Sequence, residues 1–211
     1  MVITYHGLEF FKVTFGDTTV AFNPISKSSK HKSTSFGADI VLSSLNDEDF
    51  NGHETAGRGD KQPFVISGPG EYEYKNVFIQ GYPSESNYKD KKRINTFYKV
   101  LLEDTSLCFL GAIDSSNINE YMKAFDGEVD VLFLPIGGAG VLNPEEAYKL
   151  AVSLEPKIII PMHYTEGSDK NSLKTFLKES GRENLKAIDK LTLKKKDLVD
   201  KQGEVILLAE V

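Results

Sequence analysis

With 211 residues, 40% of them hydrophobic and 27% charged, the chain has a globular composition and enough length to bury a sizeable core. Its 25 basic and 31 acidic side chains leave a net charge of −6. That balance excludes a general attraction to phosphate backbones and disfavours nucleic acid as a partner.

One cysteine, Cys108, excludes an internal disulfide framework and a Cys-rich zinc site. It lies within Leu107-Cys-Phe-Leu110, where a buried apolar role is expected. The segment Met1–His6 has no basic stretch followed by a long apolar one, so no secretory signal is read there. No apolar run approaches the ~20 residues that span a bilayer. The expectation is a cytoplasmic protein with no membrane partner.

The first half of the chain reads as strands. Residues 2–5, 10–15 and 18–22 are short β-branched or aromatic runs, with Gly16-Asp17 turning between the last two. Residues 26–36, rich in Ser and Lys, are a loop. Strands are expected over 39–43 and 64–67, and Gly68-Pro-Gly70 breaks the chain before strands at 71–74 and 77–80. Residues 84–93 read as a polar loop, and 95–102 with 106–110 as a hairpin around Asp104. The texture then changes. A helix is expected over 117–125, a buried strand over 129–134, and a helix over 144–154 with Asn143 as N-cap and Pro144 in its first turn. A strand over 157–160 is read as ending at Pro161, a helix over 171–179 as stopping at Gly181, and a last strand as covering 204–210. The basic run Lys194-Lys-Lys196 alternates with Leu and reads as a solvated strand face. Strands first, then alternating strands and helices, predict two packed sheets with helices outside, in a single domain over residues 1–211.

Several segments, in order, carry a family resemblance. These are Ile3-Thr-Tyr-His-Gly7 with Phe11, residues 17–24, Ala38-Asp-Ile-Val-Leu42, Pro69-Gly-Glu-Tyr-Glu73, Val129-Asp-Val-Leu-Phe-Leu-Pro-Ile-Gly-Gly138, Pro144-Glu-Glu-Ala147 and Pro156-Lys-Ile-Ile-Ile-Pro-Met-His-Tyr164. Together they resemble the metallo-β-lactamase superfamily, in particular its short single-domain members similar to L-ascorbate-6-phosphate lactonase. The resemblance implies an α+β fold, a four-layer αββα sandwich. It also implies a dinuclear site in which imidazoles and carboxylates at strand ends hold two divalent ions that generate hydroxide near neutral pH.

Position by position, that ligand set is thin. Where the family motif Thr-His-x-His-x-Asp-His is expected, this chain has Ser44-Leu-Asn-Asp-Glu-Asp-Phe50. Leu45 and Phe50 thus stand at histidine positions, Asp47 stands at another, and Asp49 matches the motif's Asp. Leu8 follows Gly7 where relatives carry His, and Leu110-Gly-Ala112 stands where the bridging Asp is expected. No histidine falls within 81–93, and His163 is the family histidine retained. The expectation drawn from this is a degenerate, non-catalytic member, a pseudoenzyme with a binding or assembly role and no cofactor. The alternative is a metal-dependent hydrolase of a phosphorylated, ester or lactone substrate. Its residual mononuclear site would comprise Asp47, Asp49 and His163 around one Mn, Mg or Zn ion. A small molecule or a protein is the expected partner, and self-association is compatible with either reading. His6, His31 and His53 are read as having no role in the site, and a triad through Ser43 or Ser44 lacks an elbow motif.

Overall fold

The computed structural model describes residues 1–60, 62–114, 128–164 and 168–211. The helix expected over 117–125 lies outside the described residues. Two sheets form the body. One contains β1 (Val2–Tyr5), β2 (Phe11–Phe15), β3 (Thr18–Phe22), β4 (Ile40–Leu42) and β5 (Phe64–Ile66). The other contains β6 (Gly70–Tyr74), β7 (Val77–Ser86), β8 (Arg93–Leu102), β9 (Thr105–Phe109), β10 (Val131–Pro135) and β11 (Ile158–Met162). Late in the chain, β12 (Leu191–Thr192) joins the first sheet and β13 (Glu204–Val205) the second. The orders are β12-β1-β2-β3-β4-β5 and β13-β11-β10-β9-β8-β7-β6. Local signals account for the tight connections. Gly16, at φ 53°, turns β2 into β3, and Glu103-Asp104, both at positive φ, close the β8–β9 hairpin.

Alternation along the strands decides what faces what. Val20 and Phe22 enter the core between the sheets, whereas Ala21 between them faces the outer side of the first sheet. The inter-sheet core is aromatic at its centre. Phe133 packs 4.8 Å from Phe11, 5.6 Å from Phe22 and 5.9 Å from Phe109, measured between ring centroids. Helices α1 (Pro144–Leu154) and α2 (Ser172–Glu179) cover the outer face of the second sheet, where Ala147, Leu150 and Phe176 join Cys108, Leu132 and Leu134. Helix α1 begins as expected. The Asn143 side chain accepts from the Glu146 N–H at 2.9 Å while Glu146 returns to the Asn143 N–H, and Pro144 needs no donor there. Cys108 is fully buried, which pushes its thiol pKa well up.

Several elements differ from the sequence reading. The polar stretch 84–93 shrinks because β7 and β8 extend to Ser86 and from Arg93, paired up to Ser86↔Arg93. Their main-chain ladder carries the polar side chains, of which Ser84, Ser86 and Asn95 are buried and Asn95 Nδ2 donates to Ser84 Oγ at 2.8 Å. Pro161 does not end its strand, since Leu134↔Pro161 and Pro135↔Met162 remain in register. β13 pairs only with Ile158 and Ile159, so the edge on which Pro161 would lack a donor has no neighbour to serve. For the same reason the strand expected over 204–210 is reduced to Glu204–Val205. The basic run is a 3-10 turn, Lys195–Leu198, rather than a strand face. Lys195 pairs with buried Asp130 at 2.8 Å, as does Lys157. No described helix is long and apolar enough to cross a membrane.

Phe133→Ala removes the ring that three others pack against, so it is expected to cost about 3–5 kcal/mol in stability. Urea unfolding monitored by circular dichroism checks this, and a loss below ~1 kcal/mol would show that the centre can collapse.

Candidate functional site

The site lies where turns at the ends of the two sheets converge. The first sheet supplies the 6–10 turn between β1 and β2, Asn23 after β3, and the 43–50 turn after β4. The second supplies the 86–93 connection between β7 and β8, the turn after β9, and His163 just after β11. At its centre is a contact between residues 154 apart in sequence. His163 Nδ1 lies 2.6 Å from Glu9 Oε1, and both side chains are buried. The backbone reinforces it, because the His163 N–H donates to the Leu8 carbonyl at 2.7 Å. Both Leu8 and His163 are held in the left-handed region, at φ 51° and 57°. Gly137 is required beside them, since a Cβ at that position would collide with the His163 carbonyl.

Glu9 is completed from the other side. Asn23 Nδ2 donates to Glu9 Oε2 and to Ser44 Oγ, both at 2.8 Å, and Asn23 Oδ1 accepts the Ser44 N–H at 2.7 Å. Gly111 passes close to this network. A Cβ there would meet the Ser44 side chain, and Asn95 Oδ1 at 2.7 Å. This explains a glycine in Leu110-Gly-Ala112 without invoking the ligand usually expected after it.

The acidic turn forms a second centre. Lys89 Nζ stands 2.7 Å from Asp47 Oδ1 and 2.7 Å from Asp49 Oδ2. Arg93 Nη1 takes Asp47 Oδ2 at 2.7 Å. Tyr88 Oη donates to Asp49 Oδ2 at 2.9 Å, and Ser29 Oγ donates to Asp49 Oδ1. Burial on its own would raise both carboxyl pKa values. Hydrogen bonds overcome it, from Lys89 and Arg93 at Asp47 and from Lys89, Ser29 and Tyr88 at Asp49, and hold both below the usual range. Burial likewise opposes the charge on Lys89, and the two carboxylates overcome it and raise the ammonium pKa. Tyr88 is driven well above its ordinary value, first by burial and then by Asp49.

The aromatic ring of Tyr88 stands between these centres. It meets the His163 ring edge-on at 5.4 Å and the Phe50 ring at 4.9 Å, while Phe50 stacks on His163 at 6.1 Å. Leu8, Leu45, Phe50 and Ala112, four positions where the resemblance implies ligands, all enter one buried apolar cluster with Tyr88. The fold therefore brings Asp47 and Asp49 together and sets His163 apart from them, against Glu9. As arranged, these residues do not fit a divalent ion. Each of the four oxygens of Asp47 and Asp49 already accepts from a side-chain donor, and among the described residues no three His, Cys, Asp or Glu side chains could hold a metal.

Sequence reasoning missed Glu9, Asn23, Tyr88 and Lys89. Glu9 carries a signal, being the charged residue inside Leu8-Glu-Phe-Phe11. Lys89 carries none, since one lysine in a polar connection resembles its neighbours. His31 approaches the site, with Nε2 4.0 Å from Asp49 Oδ2. His53 Nε2 lies 2.9 Å from Ser43 Oγ, and burial lowers its pKa. His6 is buried between the rings of Phe10 and Phe36, and its Nδ1 has no partner among the described residues. Burial, then the charges of Lys12 and Lys32, push its pKa down to about 4.

The unfolded chain protonates His6 near 6.5 while the folded chain resists until about 4. Stability is therefore full above the upper value and falls as pH drops between the two, by on the order of 3 kcal/mol at the lower end. Unfolding titrations from pH 7.5 to 4 are expected to show a shallower loss for His6→Gln than for the natural chain. Equal slopes would exclude His6 as the source.

The family model described as "Beta-lactamase superfamily domain" matches residues 2–163. A UPF0173 metal-dependent hydrolase of Listeria monocytogenes is 24% identical over 198 residues, covering 78% of this chain and 85% of that protein. A UPF0173 metal-dependent hydrolase of Lysinibacillus sphaericus is 27% identical over 195 residues, with the same coverage. Among solved structures, a Thermotoga maritima protein described as a candidate Zn-dependent hydrolase of the metallo-β-lactamase superfamily superposes with a TM-score of 0.75. It is 26% identical and covers 98% of this chain and 97% of its own. These relatives bear out the superfamily and the sandwich fold, and they carry nothing on the narrower likeness to the lactonase. They overturn the expectation of a non-catalytic pseudoenzyme with a degenerate site, because the proteins it resembles along most of its length are named metal-dependent hydrolases. That expectation equated lost imidazoles with lost chemistry. Packed around the substituted positions, however, are a buried imidazole–carboxyl pair and an ionised acidic pair. By its match over residues 2–163, the chain belongs to the β-lactamase superfamily.

Proposed function

We propose that this chain is a hydrolase of a phosphorylated, ester or lactone substrate, working in the cytoplasm at the site formed by Asp47, Asp49 and the Glu9–His163 pair. The observation that carries the reading is the pair itself, buried at the strand ends of a fold whose named relatives are metal-dependent hydrolases. The buried imidazole is oriented by its carboxyl partner, and an oriented imidazole is a common proton acceptor in hydrolysis. Glu9 fixes the ring through Nδ1, which makes Nε2 the nitrogen that can take a proton from an attacking water. Asn23 and Ser44 fix Glu9 in turn. Asp47 and Asp49 stand ionised, paired with Lys89 and Arg93.

The relatives' names support a divalent metal as the cofactor of this reading. The three residues do not fit such an ion as they stand, because Lys89, Arg93, Ser29 and Tyr88 already occupy the four oxygens of Asp47 and Asp49. Phe50, from the turn after β4, and Tyr88, from the 86–93 connection, cover the imidazole, so substrate reaches His163 only when both rings move aside.

The test is a panel of chromogenic phosphoesters, esters and lactones, with the protein assayed with and without added Mn²⁺ or Zn²⁺. Turnover of at least one class is expected, falling by about a hundredfold or more in His163→Ala and in Glu9→Gln. Turnover that both variants retain in full, or none on the whole panel, would refute the reading. Circular dichroism confirms that each variant is folded.

A further inference from the structure

We infer that Lys89 is the resident cation of this site, a tethered ammonium that competes with any divalent ion for Asp47 and Asp49 and must withdraw before one can bind. The inference rests on the reading of those carboxylates as part of the site. Its evidence is separate, namely how the 86–93 connection is built.

Charge and stoichiometry come first. Two carboxylates face two cations, Lys89 and Arg93, so the pair is neutralised without an ion. Among the described residues Lys89 alone bridges both acids, 2.7 Å from each. A divalent ion arriving with the ammonium still in place would face a like charge at contact distance and find no oxygen without a donor. Arg93 donates to Asp47 and to the Asn46 carbonyl, so it orients that acid, and among the described residues Lys89 is the lysine or arginine paired with Asp49.

The backbone turn between β7 and β8 sets where Lys89 stands. Lys89 and Asp90, at φ 57° and 55°, are consecutive non-glycine residues in the left-handed region, within a single 3-10 turn, Tyr88–Asp90. Consecutive left-handed residues also make the Lys75-Asn76 and Glu103-Asp104 hairpin turns, so the conformation is that of a tight strand connection, and side-chain contacts fix where this one lies. Those contacts are the Lys89 bridge, the Tyr88 hydroxyl on Asp49 and the packing of Tyr88 against Phe50 and His163. One short turn thus carries both the cation on the carboxylates and the ring over the imidazole. Withdrawal of that turn would free the carboxylates and take the Tyr88 ring off the imidazole, leaving Phe50, from the turn after β4, stacked on it. Lys89 itself is 40% exposed, so its side chain can swing into water without unpacking the core.

Mn²⁺ alone is the probe. Chelator-stripped full-length protein is titrated and free Mn²⁺ is read by electron paramagnetic resonance. Lys89→Met is expected to bind Mn²⁺ at least about tenfold more tightly than the natural chain, because a competitor engaged most of the time weakens apparent affinity by the unengaged fraction. Lys89→Gln should behave like Lys89→Met, whereas Lys89→Arg should bind as weakly as the natural chain. Adding Asp49→Asn to Lys89→Met should abolish the gain. Mn²⁺ should raise the melting temperature of Lys89→Met and leave that of the natural chain unmoved. Equal Mn²⁺ affinity in the natural chain and in folded Lys89→Met and Lys89→Gln would overturn the inference, whether both bind tightly or neither does. No readout here is turnover, so its failure and the failure of the hydrolase reading are separable.

Discussion

The contact on which the site depends is the one between Glu9 and His163. It joins the first turn of the first sheet to the end of the last long strand of the second, across 154 residues of sequence. Both groups are buried, and a buried carboxyl or imidazole without its partner costs several kcal/mol. Each therefore constrains the chain around it. Asn23 completes Glu9, Ser44 completes Asn23, and the Leu8 carbonyl takes the His163 N–H. The two sheets could pack on their aromatic core in more than one relative position. This polar chain holds one of them, because any slip would leave a buried donor or acceptor unpaired.

Around that fixed point the site divides by polarity. Leu8, Leu45, Phe50 and Ala112 have turned what the family resemblance marks as metal positions into a dry apolar cluster. The remaining polar groups have been drawn into two separate pairings. His163 goes to Glu9, and the acidic pair goes to Lys89 and Arg93. Burial strengthens the Glu9–His163 pairing, since charges in a less polar surround are neutralised by close partners more than by water, whereas Lys89 reaches the acids from a 40% exposed position. Tyr88 serves both sides, with its hydroxyl on Asp49 and its ring against His163. The same strand ends thus carry ionised acids and an oriented imidazole beside apolar residues at the positions that the resemblance marks for ligands. A count of ligands alone does not decide whether the site retains chemistry.

Local signals in the sequence were sufficient for the elements they govern. Alternation placed Val20 and Phe22 inward, Asn143 and Pro144 began a helix, and Glu103-Asp104 closed a hairpin. They were insufficient where a neighbour decided. Pro161 stayed within its strand because the adjoining strand is short, and the polar stretch after Pro83 became strand because β8 was there to pair with it.

The order of short apolar strands, glycine turns and strand-end motifs determined the superfamily and the two-sheet fold, because those features act within a few residues of themselves. The sequence also determined that Leu45 and Phe50 cannot ligate a metal. Only the tertiary structure decided who neutralises the acids and who holds the imidazole. Lys89 lies 42 residues from Asp47 and Glu9 lies 154 from His163, and no local pattern links them. Pairing of buried charge is settled by which groups the fold leaves in the same dry space, and that becomes defined only when the sheets close on each other.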